Sequence, residues 1–167
     1  STVYSARDLR FSVHRPVAVK EMTNNARDKI VRDTIVKNFE REANILATLN
    51  HNAVPKIHDY FTIDENSYLV MELIQGNNLE TILNQTQGFF PEEQIITWGV
   101  ELCDVLQTLH NHKPEPIVFR DMKPANIILT PNNQIVLVDF GIAKIFQGDE
   151  KGTMIGTEGY SPPEQYR

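Results

Sequence analysis

The sequence predicts an α+β protein built as two lobes: a β-rich first half carrying one long helix, and a mainly helical second half. Apolar runs of strand length recur along the chain as far as Ile74 and are interrupted once by a stretch with helical periodicity. A Gly/Asn segment, Gln75-Gly76-Asn77-Asn78, then breaks the pattern. Beyond it lies one long amphipathic helix, followed by short apolar strands that alternate with polar loops. No internal repeat or low-complexity tract interrupts this order.

With 167 residues and 41% hydrophobic content, the chain can bury roughly 70% of the surface its unfolded form exposes, which suffices for a core. Its formal charge of −6, from 22 acidic and 16 basic residues, offers no basic stripe for a phosphate backbone, so no nucleic-acid partner is expected. The single cysteine, Cys103, sits among Leu102, Val105 and Leu106 and reads as a small core residue. It permits neither an intrachain disulfide nor a thiolate metal site, which suits a reducing, cytoplasmic setting. No apolar run approaches the roughly 20 residues that span a bilayer, and Ser-Thr-Val-Tyr at the start has no signal-peptide character. No membrane segment is expected here, although tethering through sequence outside this stretch is compatible with that.

Taken in order, Val17-Ala18-Val19-Lys20 after Pro16 reads as a strand. Residues from about Asp28 to Leu49 read as a helix with Ile35, Phe39, Ala43, Leu46 and Leu49 on one face. Glu42 lies on or beside that stripe, and a carboxylate facing a core requires a cation from elsewhere. Residues 56 to 63 and 67 to 72 read as a hairpin around Asp64-Glu65-Asn66, leading into Met71-Glu72-Leu73-Ile74. In the second half Pro91, Glu92 and Glu93 suit a first helical turn, and Ile95, Gly99, Leu102, Leu106 and Leu109 form the expected buried face. Trp98, Tyr60, Phe61, Phe89 and Phe90 read as packing, and His110 and His112 as capping or solvated groups.

The chemistry is concentrated after that helix. Ile117-Val118-Phe119-Arg120-Asp121-Met122-Lys123-Pro124-Ala125-Asn126 alternates acid, cation and amide, and Pro124 biases Lys123 toward an extended backbone that splays these side chains. Two apolar strands follow, Ile127-Ile128-Leu129 and Ile135-Val136-Leu137-Val138, the second ending in Asp139-Phe140-Gly141. An acid at the mouth of a buried strand, followed by Gly, suits a metal or phosphate group.

The pattern D-x-K-P-x-N ending at Asn126, together with the D-F-G that starts at Asp139 after the two apolar strands, resembles the catalytic and magnesium loops of protein kinases. The resemblance implies a serine/threonine kinase of bacterial type that uses ATP and Mg2+. Asp121 would accept the proton of the attacking hydroxyl, Lys123 would steady the transferring phosphoryl group, and Asn126 and Asp139 would hold magnesium. Magnesium wants oxygen ligands, and a phosphoryl group gaining charge wants a fixed ammonium. Val-Ala-Val-Lys at 17 to 20 resembles the strand whose lysine grips the α- and β-phosphates, with Glu42 as partner of Lys20. Glu40 competes for that role but lies about 200° away around a helix, on the opposite face. Met71 to Ile74 resembles the hinge that receives adenine, Glu72 and Ile74 offering backbone groups and Met71 guarding the pocket's depth. By the same likeness Val3, Ala18 and Ile128 would sandwich the adenine ring.

Thr157-Glu158-Gly159-Tyr160-Ser161-Pro162-Pro163-Glu164 resembles the substrate-docking end of the activation segment, which implies a protein substrate. Thr157 and Lys123 together resemble the serine/threonine class. Arg120 is of the kind that pairs with an activation-segment phosphate, for which Thr153 is the first choice. Phe119 stands where many kinases have histidine and keeps an apolar plug under Phe140. Asn78 and Ala125 replace acids found in kinases that prefer arginine before the target, so basic-directed substrate choice is not supported.

The resemblance spans the whole chain and part of the family's domain. About 1–74 correspond to the first lobe without its first strand and most of the Gly-rich loop, 75–78 to the hinge, and 79–167 to the start of the second lobe through the activation segment. By itself such a segment is expected to be weakly active or inactive. Each feature alone has an ordinary reading, a strand lysine being usually solvated; their joint order carries the argument. A nucleotide-binding pseudokinase and a small-molecule kinase of the aminoglycoside type stay open as alternatives, while a Walker-type ATPase would need G-x-x-x-x-G-K-[ST], which is absent.

Overall fold

The computed structural model describes residues 2–10, 12–23, 28–64, 66–86, 88–140, 157 and 159–161, apart from the side chain of Glu42. The described elements are β1 (Thr2–Asp8), β2 (Arg15–Thr23), α1 (Lys29–Ala47), β3 (Ile57–Ile63), β4 (Asn66–Glu72), β5 (Asn77–Asn78), α2 (Leu79–Gln85), α3 (Glu92–His110), a 3₁₀ turn (Pro124–Asn126), β6 (Ile127–Leu129) and β7 (Ile135–Leu137). They fall into two compact units, one containing β1 to β4 with α1, the other containing the remaining elements together with His51–Val54.

In the first unit the strands form an antiparallel sheet in the order β1-β2-β4-β3. The register pairs Val3 with Lys20, Ala18 with Met71, and Leu69 with both Lys20 and Tyr60. Side chains alternate along a strand, so Val3, Ala18, Lys20, Leu69, Met71 and Tyr60 share one face of the sheet. Helix α1 covers that face. It buries Phe39, Ala43 and Leu46, and Phe39 meets Tyr60 edge-on at 6.2 Å. The helix starts where Asp28 Oδ1 accepts from the amides of Ile30 (2.7 Å) and Val31 (3.2 Å), satisfying two of the donors a helix start leaves open. It ends at Ala47, short of the expected Leu49, where the Thr48 hydroxyl donates to the Ile45 carbonyl at 2.6 Å.

On the opposite face Glu21 accepts from the Tyr4 hydroxyl (2.8 Å), the Tyr68 hydroxyl (3.0 Å) and Asn66 Nδ2 (3.1 Å), and Phe61 stacks on Tyr68 at 5.1 Å. The Tyr4 and Tyr68 hydroxyls hold the Glu21 carboxyl below its ordinary range, and the Glu21 carboxylate in turn pushes the Tyr4 phenol up. Strand β1 lies outside the elements expected from pattern, because Thr-Val-Tyr-Ser-Ala-Arg-Asp is mostly exposed and shows no apolar alternation. It forms through seven residue pairs with β2. Its last residue, Asp8, is 8% exposed and accepts from Arg10 Nε and Nη2 (both 3.0 Å), the Arg10 amide (3.1 Å) and Arg15 Nη2 (3.2 Å). The Arg10 donors hold the Asp8 carboxyl far below the usual carboxylate range.

In the second unit, the last two residues of the Gln75-Gly76-Asn77-Asn78 break form β5 instead of an open linker, and the small sheet runs β5-β6-β7. Asn78 pairs with Ile128 and also caps α2, its Oδ1 accepting from the Thr81 amide at 2.7 Å. Gly76 has φ +141°, and a Cβ there would lie 2.2 Å from the Leu129 carbonyl oxygen and 2.9 Å from Ile128 Cγ2. Both the conformation and the close approach demand glycine.

Helix α3 begins with Glu92 and Glu93 in its first turn, where the dipole favours acids. Its buried residues are Trp98, Val105 and Leu109, which corrects the expected stripe: Ile95 is exposed, and Leu102 and Leu106 are half-buried. The helix is seated by Phe90, which meets Trp98 edge-on at 5.2 Å, and by Glu101, whose Oε2 accepts from the Ile135 amide of β7 at 3.0 Å. This seating leaves Cys103 exposed, against the core position expected for it. Phe89 is likewise fully exposed and not packed, and Phe61 is partly exposed.

His51–Val54 belongs to this unit although it follows α1 in the chain. His51 Nδ1 accepts from the Ala53 amide and Nε2 meets Asp104 Oδ2 of α3, both at 3.0 Å, so the proton sits on Nε2. The Leu137 amide donates to the Ala53 carbonyl at 2.9 Å. Among the described residues no helix is long and apolar enough to cross a membrane.

Gly76→Ala is expected to lower stability by about 2 kcal/mol or more, since either φ or strand β6 must shift; urea unfolding against wild type reads this as a lower midpoint. Asp8, with its depressed folded pKa, contributes stability that is complete above the unfolded value of about 4 and fades as the pH falls below it. Asp8→Asn is therefore destabilised at pH 7, and its urea midpoint falls less than that of wild type between pH 5 and pH 2.5.

Candidate active site

The loop after α3 is anchored at its start, where the Ile117 amide donates to the Leu109 carbonyl at 3.0 Å. Phe119 is buried and meets Phe140 edge-on at 5.2 Å, so the expected apolar contact between them forms. Lys123 has the extended backbone expected before proline, with φ −156° and ψ 159°. Pro124–Asn126 then makes a 3₁₀ turn closed by the Asn126 amide on the Lys123 carbonyl at 2.9 Å.

The spacing between Asn126 and Asp139 is the arithmetic of a hairpin. Ile127 pairs with Leu137, Ile128 with Val136 and Leu129 with Ile135, and the Val138 amide closes on the Asn126 carbonyl at 2.9 Å. Asp139 is thus the next residue past the rung that Asn126 begins. It is exposed and has φ +63°, a left-handed backbone uncommon outside glycine.

Asp121 is the centre of the arrangement and is only 6% exposed. Asn126 Nδ2 donates to its carbonyl oxygen (2.9 Å) and to its Oδ2 (3.1 Å). Lys123 Nζ lies 3.1 Å from the same Oδ2. The Thr157 hydroxyl donates to Oδ1 at 2.7 Å and accepts from Lys123 Nζ at 2.9 Å. Asp121, Lys123, Asn126 and Thr157, all singled out by the sequence pattern, therefore form one closed network. Asn126, also 6% exposed, uses its amide hydrogens on Asp121, leaving its oxygen as the group that a cation can use.

An amide oxygen and a carboxylate, from Asn126 and Asp139, make a donor set suited to a hard cation that takes its remaining ligands from phosphates and water, as magnesium does. Among the described residues no group of three or more His, Cys, Asp or Glu side chains could hold a metal by themselves. Thr153 lies outside the described residues, as do Glu158 and Pro162 to Glu164. Arg120 is half-buried.

The remaining candidates belong to the first unit or to the sheet of the second. Lys20 is 4% exposed, so the ordinary reading of a strand lysine as solvated does not hold. Ala18 is buried beside Met71 in the register, while Val3 is exposed. Glu42 sits in α1, and its side chain is outside the described residues. Met71, Glu72 and Ile74 are half-buried. The Glu72 amide donates to the Lys56 carbonyl at 2.8 Å, which engages that backbone group, and Glu72 Oε2 accepts from the Lys56 amide at 3.3 Å. Ile128 is half-buried in β6, next to the space that Gly76 keeps open. In the sequence Gly76 reads only as a strand breaker; its positive φ is the signal of a structural requirement.

A family model described as "Protein kinase domain" matches residues 1–166. The chain is similar to the serine/threonine-protein kinase PknB of Mycobacterium leprae, with 35% identity over 100% of this chain and 27% of that protein. It is also similar to a probable serine/threonine-protein kinase of Streptomyces coelicolor, with 38% identity over 98% of this chain and 24% of that one. The chain thus spans about a quarter of the length of these curated relatives. In three dimensions it is similar to a solved structure titled "PpkA-294 apo form", with a TM-score of 0.77, 23% identity, and coverage of 98% of this chain and 63% of that one. The last likeness speaks to the fold.

Because both amide hydrogens of Asn126 serve Asp121, Asn126→Ala leaves a buried carboxylate and a backbone carbonyl short of donors. It is expected to cost about 1–3 kcal/mol, measured as a shift in urea midpoint without nucleotide.

Proposed function

The chain belongs to the protein kinase domain family, and from that premise we propose that it transfers the γ-phosphoryl group of ATP to serine and threonine hydroxyls of protein substrates. One observation carries the reading: the nearly buried Asp121 carboxylate bracketed by Lys123, Asn126 and Thr157. Its Oδ2 is engaged by two nitrogen donors, while Oδ1, which accepts from the Thr157 hydroxyl, is the oxygen at which an attacking hydroxyl is received. Asp121 there orients the hydroxyl and accepts its proton as that oxygen bonds to the γ-phosphorus and the bond from this phosphorus to the β–γ bridging oxygen breaks, with ADP as the leaving group. The ammonium of Lys123, fixed 3.1 Å from that carboxylate, is held without further reorganisation where charge grows on the transferring group.

Asn126, through its amide oxygen, and Asp139, through its carboxylate, would hold magnesium. When bound, the metal offsets charge on the phosphate oxygens. Lys20, with Glu42 as its partner, takes the α- and β-phosphates. Val3, Ala18 and Ile128 supply apolar contact to adenine, Met71 limits the depth of its pocket, and Glu72 and Ile74 meet its edge through the Glu72 carbonyl and the Ile74 amide. Arg120 would receive a phosphate on the activation segment, with Thr153 the first candidate and Thr157 serving the site itself. Residues 1–74, 75–78 and 79–167 then correspond to first lobe, hinge and second lobe. A single cysteine and a net negative charge support a reducing, cytoplasmic setting and a protein rather than nucleic-acid substrate.

The full-length protein, incubated with labelled ATP, magnesium and a general protein substrate, is expected to transfer label to protein and not to a small alcohol. Asp121→Asn and Lys20→Met each lower the rate by about 100-fold or more. Equal labelling by wild type and both variants would remove the assignment.

A further inference from the structure

The Thr157 hydroxyl serves the network only if its backbone is held, and the hold comes from a residue to which the motif assigns no role. The Thr157 amide donates to Ser161 Oγ at 2.9 Å. The Thr157 carbonyl accepts from the amides of Tyr160 and Ser161, both at 3.0 Å. Gly159, at φ +84°, lets the chain turn back between them. Ser161 thus closes this turn from both directions, with its own amide on the Thr157 carbonyl and its hydroxyl under the Thr157 amide.

With both backbone groups of Thr157 engaged, only χ1 is left, and a β-branched side chain has few χ1 choices. The observed geometry puts the hydroxyl on Asp121 Oδ1 and under Lys123 Nζ together. We infer that Ser161 is a positioning residue for phosphotransfer, acting through Thr157 to set the donor on Asp121 Oδ1; this rests on the kinase reading above. The contact requires an acceptor of hydroxyl length at position 161. Alanine has none, threonine keeps it, and a cysteine sulfur is a weak acceptor. Removing it leaves the half-buried Thr157 amide without its acceptor and frees the turn, so Asp121 loses a fixed donor at the oxygen that faces the substrate hydroxyl.

The test uses the full-length protein with a protein substrate and Mg-ATP. Ser161→Ala is expected to lower kcat by about 3- to 30-fold with KM for ATP within about twofold, and Ser161→Thr to restore most of the loss. On a Thr157→Val background, where the hydroxyl is already gone, Ser161→Ala is expected to add less than about twofold, because both changes cut one path. Wild-type kcat in Ser161→Ala, equal losses in Ser161→Ala and Ser161→Thr, or a full extra loss on Thr157→Val would each overturn the inference while leaving the kinase reading intact. An intact full-length protein that labels no protein substrate would instead defeat that reading, and this inference with it.

Discussion

A carboxylate withdrawn from water stays ionised at modest cost only when donors surround it, and the loops of the second unit are arranged around meeting that need at Asp121. The donors come from Lys123, from Asn126 and from Thr157, the last 36 residues further along the chain. Each donor depends on another device. Asn126 is placed by a 3₁₀ turn and by the first rung of the β6–β7 hairpin, and Thr157 by a turn that bonds to itself at both ends. A single buried charge thereby ties a loop, a hairpin and a distant turn into one arrangement, and the same hairpin delivers Asp139 one residue past the Asn126 rung.

The first unit also buries a basic side chain. Lys20 lies inside because β2 is paired on both sides, by β1 and β4, and because α1 covers the face on which it stands. Two carboxylates, one on the other face and one at the sheet's end, find their donors locally. Glu21 collects two phenols and an amide, and Asp8 collects two guanidinium groups. Exposed pairs of this kind contribute modestly one by one. Asp8 differs because four donors converge on one carboxylate that is largely shielded from solvent.

Where sequence and structure part, the cause is a partner out of reach of local pattern. The apolar residues of α3 spread over somewhat more than half of the circumference, wider than the face that is buried, so periodicity did not fix the centre of that face. Phe90, Ile135 and the His51–Asp104 contact selected the one through Trp98, Val105 and Leu109, and this turned Cys103 outward. Strand β1 had no apolar alternation to announce it and exists by pairing. Asn77 and Asn78 read as a break because their side chains favour turns, yet their backbones complete an edge of the small sheet.

The sequence by itself determined the class of fold and the family, and it named Lys20, Glu42, Asp121, Lys123, Asn126, Asp139 and Thr157 as candidates, of which the structure brings Asp121, Lys123, Asn126 and Thr157 together. It could do so because motif spacing encodes local geometry: the Pro after Lys123 sets an extended backbone, and the stretch from Asn126 to Asp139 is the length that a three-rung hairpin with its turn consumes. Only the tertiary structure decided which face of α3 is buried, why Gly76 tolerates no side chain, and that Ser161 supports Thr157 from behind. These depend on the distance between atoms far apart in the chain or folded back on one another, and a linear pattern of residue types carries no record of that distance.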